Sequence, residues 1–243
     1  MLASLEDTTD RLDGCEVVIM DNGSDNGTVA MVCQWLTQNK VMGGRVAFHP
    51  LPGNVGCPRA LNLAIQWHRK PGQPVVKLDN DVRLLTSDWL EGVPRLITGR
   101  TELGRRVAMV SAMYDGLLEG RSQNRWQWED LDVHEIHPVI GHAVWHTGWF
   151  MDKVGYFDVL HQDHIYGFED LILSAKAHVL GAEMLTWEGW EIENLQRHGA
   201  LPRAVRDSHV EAMRPLYEER KAAILAGGSL RTGEDGNPIE ERG

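Results

Sequence analysis

Short apolar runs alternate along the first half of the chain with segments whose apolar residues recur at helical spacing. Cys15 to Met20 (CEVVIM) predicts a strand, stopped by the turn formers Asp21-Asn22-Gly23-Ser24. From Thr28 to Asn39 the apolar residues Val29, Val32, Trp35 and Leu36 return every one to three positions on one face, which predicts a helix. Arg45 to His49 (RVAFH) predicts a second strand, closed by Pro50-Leu51-Pro52-Gly53-Asn54. Ala60 to Trp67 predicts the next helix, with Pro58 near its first turn, where a missing N–H costs nothing. The third strand, Val75-Val76-Lys77-Leu78, ends abruptly on Asp79-Asn80-Asp81. A helix starting at Ser87-Asp88-Trp89-Leu90 and a fourth strand, Val107 to Met113, follow. This alternation predicts an α/β fold in which a mostly parallel sheet is flanked by helices. Ligands of such sheets bind beyond the carboxyl ends of the strands, so Asp21 and the Asp79–Asp81 pair should share one cleft.

The pattern loosens after Met113. Tyr114 to about His137 is polar around Trp126 and Trp128 and reads as a loop; Val139 to Phe150 reads as extended. Phe168 to Leu180 and Arg206 to Ala226 predict helices. Residues 227–243, rich in Gly, Glu and Arg, have almost nothing to bury and predict a disordered tail, leaving residues 1–226 as a single domain.

Composition narrows the partners. Among 243 residues, 42% are apolar, enough for the core of one α/β domain. A formal net charge of −11 works against a nucleic-acid-gripping protein. No window approaches the roughly 20 apolar residues a membrane helix requires, and the stretch Met1 to Asp7 has no signal-peptide pattern. Cys15, Cys33 and Cys57 lack any C-x-x-C spacing and read as reduced, mostly buried thiols of a cytoplasmic protein.

The pair Asp79 and Asp81 concentrates the candidate chemistry. Alternate residues of an extended chain face the same side, so the two carboxylates repel unless a cation or donor sits between them. Hard oxygen ligands there suit Mg²⁺ or Mn²⁺ carrying a phosphate-bearing substrate, although an isolated D-x-D is more often a solvated turn. His134, His137, His142 and His146 crowd into one segment. His142 and His146 would share a zinc ion only on a helix, and in the strand their neighbours predict they stand roughly 13 Å apart. His146 is instead expected to line the cleft, on the side of a second, accepting substrate. Trp126 and Trp128 are candidate stacking platforms for the apolar faces of ring-shaped ligands, while Trp145 and Trp149 are as readily core residues. Gly43-Gly44 reads as a helix cap, not a phosphate loop.

Four motifs occur in a fixed order: Val18-Ile19-Met20-Asp21-Asn22-Gly23-Ser24-Asp25-Asn26-Gly27-Thr28; Asn54-Val55-Gly56 with Ala60 and Asn62; Leu78-Asp79-Asn80-Asp81 followed by Asp88-Trp89-Leu90; and Val154-Gly155-Tyr156-Phe157-Asp158 leading to Tyr166-Gly167-Phe168-Glu169-Asp170. Over roughly residues 15 to 200 the sequence resembles the family 2 glycosyltransferases of GT-A fold, especially the rhamnosyltransferase-like members whose first motif reads D-N-G-S. The resemblance implies that Asp21 and Asn22 sit against the base and ribose of a nucleoside-diphosphate sugar, with Asn54, Gly56 and Asn62 shaping that pocket. It implies that Asp79 is shared between ribose and cation, that Asp81 ligates Mn²⁺ or Mg²⁺, and that His198 supplies a late histidine ligand. Asp170 of the Glu169–Asp170 pair would be the catalytic base of an inverting, hexosyltransferase-type reaction onto an acceptor hydroxyl.

Three departures from the family pattern stand out. Only about fourteen residues precede Cys15, enough for a helix over Leu2 to Leu12 but not for the family's first strand. A basic residue often precedes the asparagine of the second motif, where this chain has Leu61, and an acid often follows the Glu–Asp pair, where it has Ile172. Two alternatives stay open at this point. A nucleotidyltransferase would need a Gly-rich, Arg-containing loop after its first strand, which is missing. A degenerate sugar-nucleotide-binding module is opposed by the intact Asp79, Asp81, Asp170 and His198. The acceptor is open among a saccharide, a lipid-linked sugar, a protein, a small molecule and a modified DNA base, and so is oligomerisation.

Overall fold

The computed structural model describes residues 1–6, 14–38, 46–119, 122–195 and 203–240, and of 203–206 the backbone only. The elements run α1 (Leu2–Glu6), β1 (Val17–Asp21), α2 (Thr28–Gln38), β2 (Val46–Pro50), α3 (Cys57–His68), β3 (Val75–Leu78), β4 (Val82–Leu84) and α4 (Trp89–Glu102). Then follow β5 (Val107–Met113), β6 (Ser122–Trp128), β7 (Leu131–Ile136), β8 (Ala143–His146), α5 (Gly148–Val154), α6 (Glu169–Val179), β9 (Glu183–Asn194) and α7 (Arg203–Leu225).

The α/β class is as expected, but the sheet is mixed, not mostly parallel. β1 and β2 pair in parallel as a two-stranded sheet of their own. The larger sheet runs β3-β8-β5-β9-β7-β6, with β4 on the far end of β9. Within it only β5 and β9 are parallel; β3–β8, β5–β8, β4–β9, β7–β9 and β6–β7 are antiparallel. The reason lies in the second half of the chain. β8 returns between β3 and β5, and β6–β7 is a hairpin, a connection that only antiparallel strands can use.

That hairpin corrects the predicted loop. β6 is polar because it is the sheet's edge, where Ser122 to Arg125 face solvent and discourage further pairing. Its two tryptophans are half-buried and packed against α4. The Arg100 guanidinium lies over Trp126, 4.6 Å from the ring centroid, and Trp128 covers Gly99 of α4 so closely that a Cβ there would lie 2.5 Å from the indole. Trp145 is in the core; Trp149 is half-buried, its indole N–H donating to the Val107 carbonyl at 2.9 Å. Within the segment read as extended, β8 passes directly into α5.

The tail is also corrected. Residues 227–240 pack onto the body because they complete a buried ionic network. Thr232, which bridges Gly155 and Pro238, is buried and donates to Asp158 Oδ2 at 3.0 Å. Lys176 donates to Thr232 at 2.7 Å and ion-pairs Asp158, whose other oxygen takes Arg220 of α7 at 2.7 Å. A buried ammonium without such partners would cost several kcal/mol. The cysteines depart from expectation too: none of the three is in a disulfide, but Cys33 is exposed and Cys15 and Cys57 only half-buried. Among the described residues no helix is long and apolar enough to cross a membrane.

Candidate active site

The loops after β1 and β2 are laced together by amides. Asn22 accepts a hydrogen bond from Val55 N at 2.8 Å and donates to Asn54 Oδ1 at 3.1 Å, and that same oxygen accepts from Gly56 N at 2.9 Å. Asp21 is buried and caps the turn, accepting from Ser24 N at 3.2 Å. Its carbonyl accepts from Leu51 N at 2.8 Å, which ties the two loops at their base. Two glycines permit the approach. At Gly23 (φ +77°) a Cβ would fall 2.4 Å from the Gly53 carbonyl carbon, and at Gly56 (φ +90°) 2.1 Å from the His164 oxygen. Of the expected pocket residues, Asp21, Asn22, Asn54 and Gly56 thus come together at these loops.

Asn62 does not join the group. It is buried on α3 and spends both ends of its amide on Phe157, donating to the carbonyl at 2.9 Å and accepting from the N–H at 2.8 Å. It clamps the Gly155–Asp158 turn and does not line a pocket.

At the exit of β3, antiparallel pairing with β8 sets residue 142 beside residue 79, and Asp79 N donates to the His142 carbonyl at 2.7 Å. The His142 ring lies between Asp79 and Asn194. Asn194 Nδ2 lies 2.8 Å from its Nε2 and Asp79 Oδ2 3.1 Å from its Nδ1. Asp81 Oδ1 is buried with no hydrogen-bond partner among the described residues. One ligand atom from each of Asp79, Asp81 and His142 lies within 4.8 Å of the other two. Two carboxylates and an imidazole fit Mn²⁺ or Mg²⁺, and an orphaned carboxylate oxygen is what such a cation would satisfy. Sequence reading missed His142, because only the strand pairing brings it to the D-x-D. His198 falls outside the described residues.

Glu169 and Asp170 open α6, and both are buried. The group that joins them to Asp79 is Lys77, also missed from sequence. Its buried ammonium donates to Asp170 Oδ2 at 3.0 Å and to the Gly141 carbonyl at 3.2 Å, and stands 3.5 Å from Asp79 and 3.9 Å from Glu169. Burial works to lower the Lys77 pKa, but Asp170, Asp79 and Glu169 outweigh it and hold the ammonium well above its ordinary value. Burial likewise works to raise Asp79, and Lys77 with His142 reverses this to a net lowering. For Glu169 burial prevails over Lys77 and the carboxyl is pushed up. Asp170 Oδ2 also takes the Gly141 N–H at 3.3 Å, while its Oδ1 and Glu169 Oε2 have no partner among the described residues. Cys57, whose thiol burial and then Glu169 push up to about 12, stays neutral and donates to Glu169 Oε1 at 3.8 Å. Contacts thus run unbroken from Asn22 through Asn54, Gly56, Cys57, Glu169 and Lys77 to Asp79, His142 and Asn194.

His146, expected on the acceptor side, lies beneath the site. It is fully buried, packs edge-on against Phe157 and donates Nδ1–H to the Val75 carbonyl at 3.3 Å. Burial pushes its pKa down from 6.5 to about 4. The unfolded chain therefore takes up this proton first, and stability should be full above about pH 6.5 and fall as pH drops to about 4, by about 3 kcal/mol in all. Urea midpoints between pH 7 and 4.5 should show this loss, and His146→Gln should flatten it; an unchanged slope would assign the acid sensitivity elsewhere.

A family profile described as Glycosyl transferase family 2 matches residues 1–152, more than half of the chain. The chain belongs to glycosyl transferase family 2. The matched segment carries Asp21, Asn22, Asn54, Asp79, Asp81 and His142 of this glycosyltransferase and ends before Glu169–Asp170. No curated protein matches its sequence. Among solved structures, the mannosyltransferase PcManGT from Pyrobaculum calidifontis, in complex with GDP-Man and Mn²⁺, aligns with a TM-score of 0.58 at 18% identity over 93% of this chain and 71% of that one. GalNAc-T7 with UDP, GalNAc and Mn²⁺ aligns with a TM-score of 0.59 at 15% identity over 92% of this chain, which spans only 46% of GalNAc-T7. Both likenesses are likenesses of fold.

Proposed function

We propose that this family 2 glycosyltransferase moves a sugar from a nucleoside-diphosphate sugar onto an acceptor hydroxyl with inversion, using Mn²⁺ or Mg²⁺ held by Asp79, Asp81 and His142. The observation that carries the reading is the junction at Lys77, which sets a cation-ready triad and a pair of buried carboxyls side by side. The GDP-Man and Mn²⁺ bound by one structural relative, and the UDP, GalNAc and Mn²⁺ bound by the other, support it. When bound, the cation neutralises the diphosphate as a leaving group. Asp21, Asn22, Asn54 and Gly56 form the nucleotide side of the site, and His198 is retained as a further candidate ligand. Asp170 is the general base: Lys77 and the Gly141 amide fix one of its oxygens, leaving Oδ1 to take the proton of the attacking hydroxyl. Attack from the face opposite the diphosphate inverts the anomeric centre. The D-N-G-S motif, shared with rhamnosyltransferase-like members, supports a hexose or deoxyhexose as the sugar moved.

The test is release of nucleoside diphosphate from a panel of sugar nucleotides, with and without Mn²⁺. Cation-dependent release from at least one donor is expected. No release, together with no donor binding by calorimetry, would sink the transferase reading, and binding without release would identify a sugar-nucleotide-binding module.

A further inference from the structure

We propose that Lys77 is a positioning residue with two effects: it holds Asp170 for proton transfer, and its charge weakens the cation site at Asp79, Asp81 and His142. The first effect rests on the sugar-transfer reading; the second does not.

Lys77 interrupts a strand whose other members, Val75, Val76 and Leu78, are apolar. Burying an ammonium costs several kcal/mol unless good partners surround it, so a lysine here needs a compensating cage. That cage consists of Asp170, Asp79, Glu169 and the Gly141 carbonyl. Residues 77 and 79 share a face of the strand, so the ammonium necessarily stands on the side where the D-x-D carboxylates converge. Its 3.0 Å bond to Asp170 Oδ2 orients that carboxylate, and its 3.5 Å approach to Asp79 places a positive charge against a cation ligand. A group that merely filled space would orient nothing and would leave cation affinity alone.

Lys77→Met removes the charge and keeps most of the volume. Mn²⁺ titrated into the protein alone, followed by calorimetry or water-proton relaxation, is expected to bind roughly tenfold or more tightly than to the unaltered protein, since a unit charge this close to a divalent ion is worth more than 1 kcal/mol even at an effective dielectric of about 20. Turnover of a donor found in the panel is expected to fall on the order of 100-fold in kcat, with KM little changed, as for a lost contribution to general-base catalysis. Damage to the fold would weaken both properties together, whereas the proposal moves them in opposite directions. Unchanged or weaker Mn²⁺ binding, or no Mn²⁺ binding by the unaltered protein, overturns the charge effect. Unchanged kcat overturns the positioning effect. Should Lys77→Met fail to fold, the comparison of Asp170→Asn with Asp170→Asn/Lys77→Met reads the charge effect on a less acidic background, and tighter binding by the double variant is expected. If no donor is turned over even by the unaltered protein, the transfer reading and the positioning effect fail together, while the Mn²⁺ titration still decides the charge effect.

Discussion

Asp170→Asn is expected to leave donor binding within a few-fold of the unaltered protein and to lower sugar transfer on the order of 10²–10⁴-fold, the usual contribution of a positioned general base. The reasoning starts from the hydrogen bonds. Asp170 accepts from Lys77 and from the Gly141 amide on one oxygen, and the other has no partner among the described residues. Asparagine preserves the shape and can still accept from Lys77 through its carbonyl oxygen, but its free end becomes an NH₂ that takes no proton. Calorimetry with donor and Mn²⁺ measures binding, and single-turnover transfer measures the chemical step. Retained turnover would move the base to Glu169, whose Oε2 is equally free and whose proton affinity burial raises. Glu169→Gln is the companion variant, and a larger loss there than at Asp170 would also reassign the base.

Much of this site is legible in the sequence because it lies at element ends that announce themselves. An apolar run followed by Asp-Asn-Gly-Ser, another followed by Asp-Asn-Asp, and an acidic pair before a helical pattern each mark a strand exit or a helix start, and β1, β3 and α6 begin or end there. What stays hidden depends on partners distant in the chain. His142 reaches Asp79 only because Leu78 pairs with Ala143 across antiparallel strands. Lys77 carries a signal, a cation inside an apolar strand, but its meaning needs the position of α6. The resemblance puts Asn62 in the pocket, but does not say which backbone groups its amide will meet. The polar hairpin β6–β7 and the tail mislead for a common reason. Polar composition suggests solvent, whereas an edge strand needs polar residues and a buried Lys176–Asp158 pair needs a Thr232.

The second large effect is expected at Asp81. Asp81→Ala should weaken Mn²⁺ binding by about 100-fold or more, since even the outer-shell partners of metal ligands account for 10–100-fold. His142→Ala should cost less, because its loss leaves both carboxylates in place. Asp79→Ala is the less informative variant. It removes a carboxylate from the Lys77 cage and the neighbour of the His142 ring, so lost folding and lost cation binding would be mixed. Asp81 Oδ1 has no such partner among the described residues to abandon, so its removal should leave the melting temperature of the cation-free protein unchanged or higher, the repulsion between the two carboxylates being gone. The decisive measurement is therefore the Mn²⁺-induced rise in melting temperature: present in the unaltered protein, reduced in His142→Ala and absent in Asp81→Ala. A rise that survives in Asp81→Ala would place the cation on other residues.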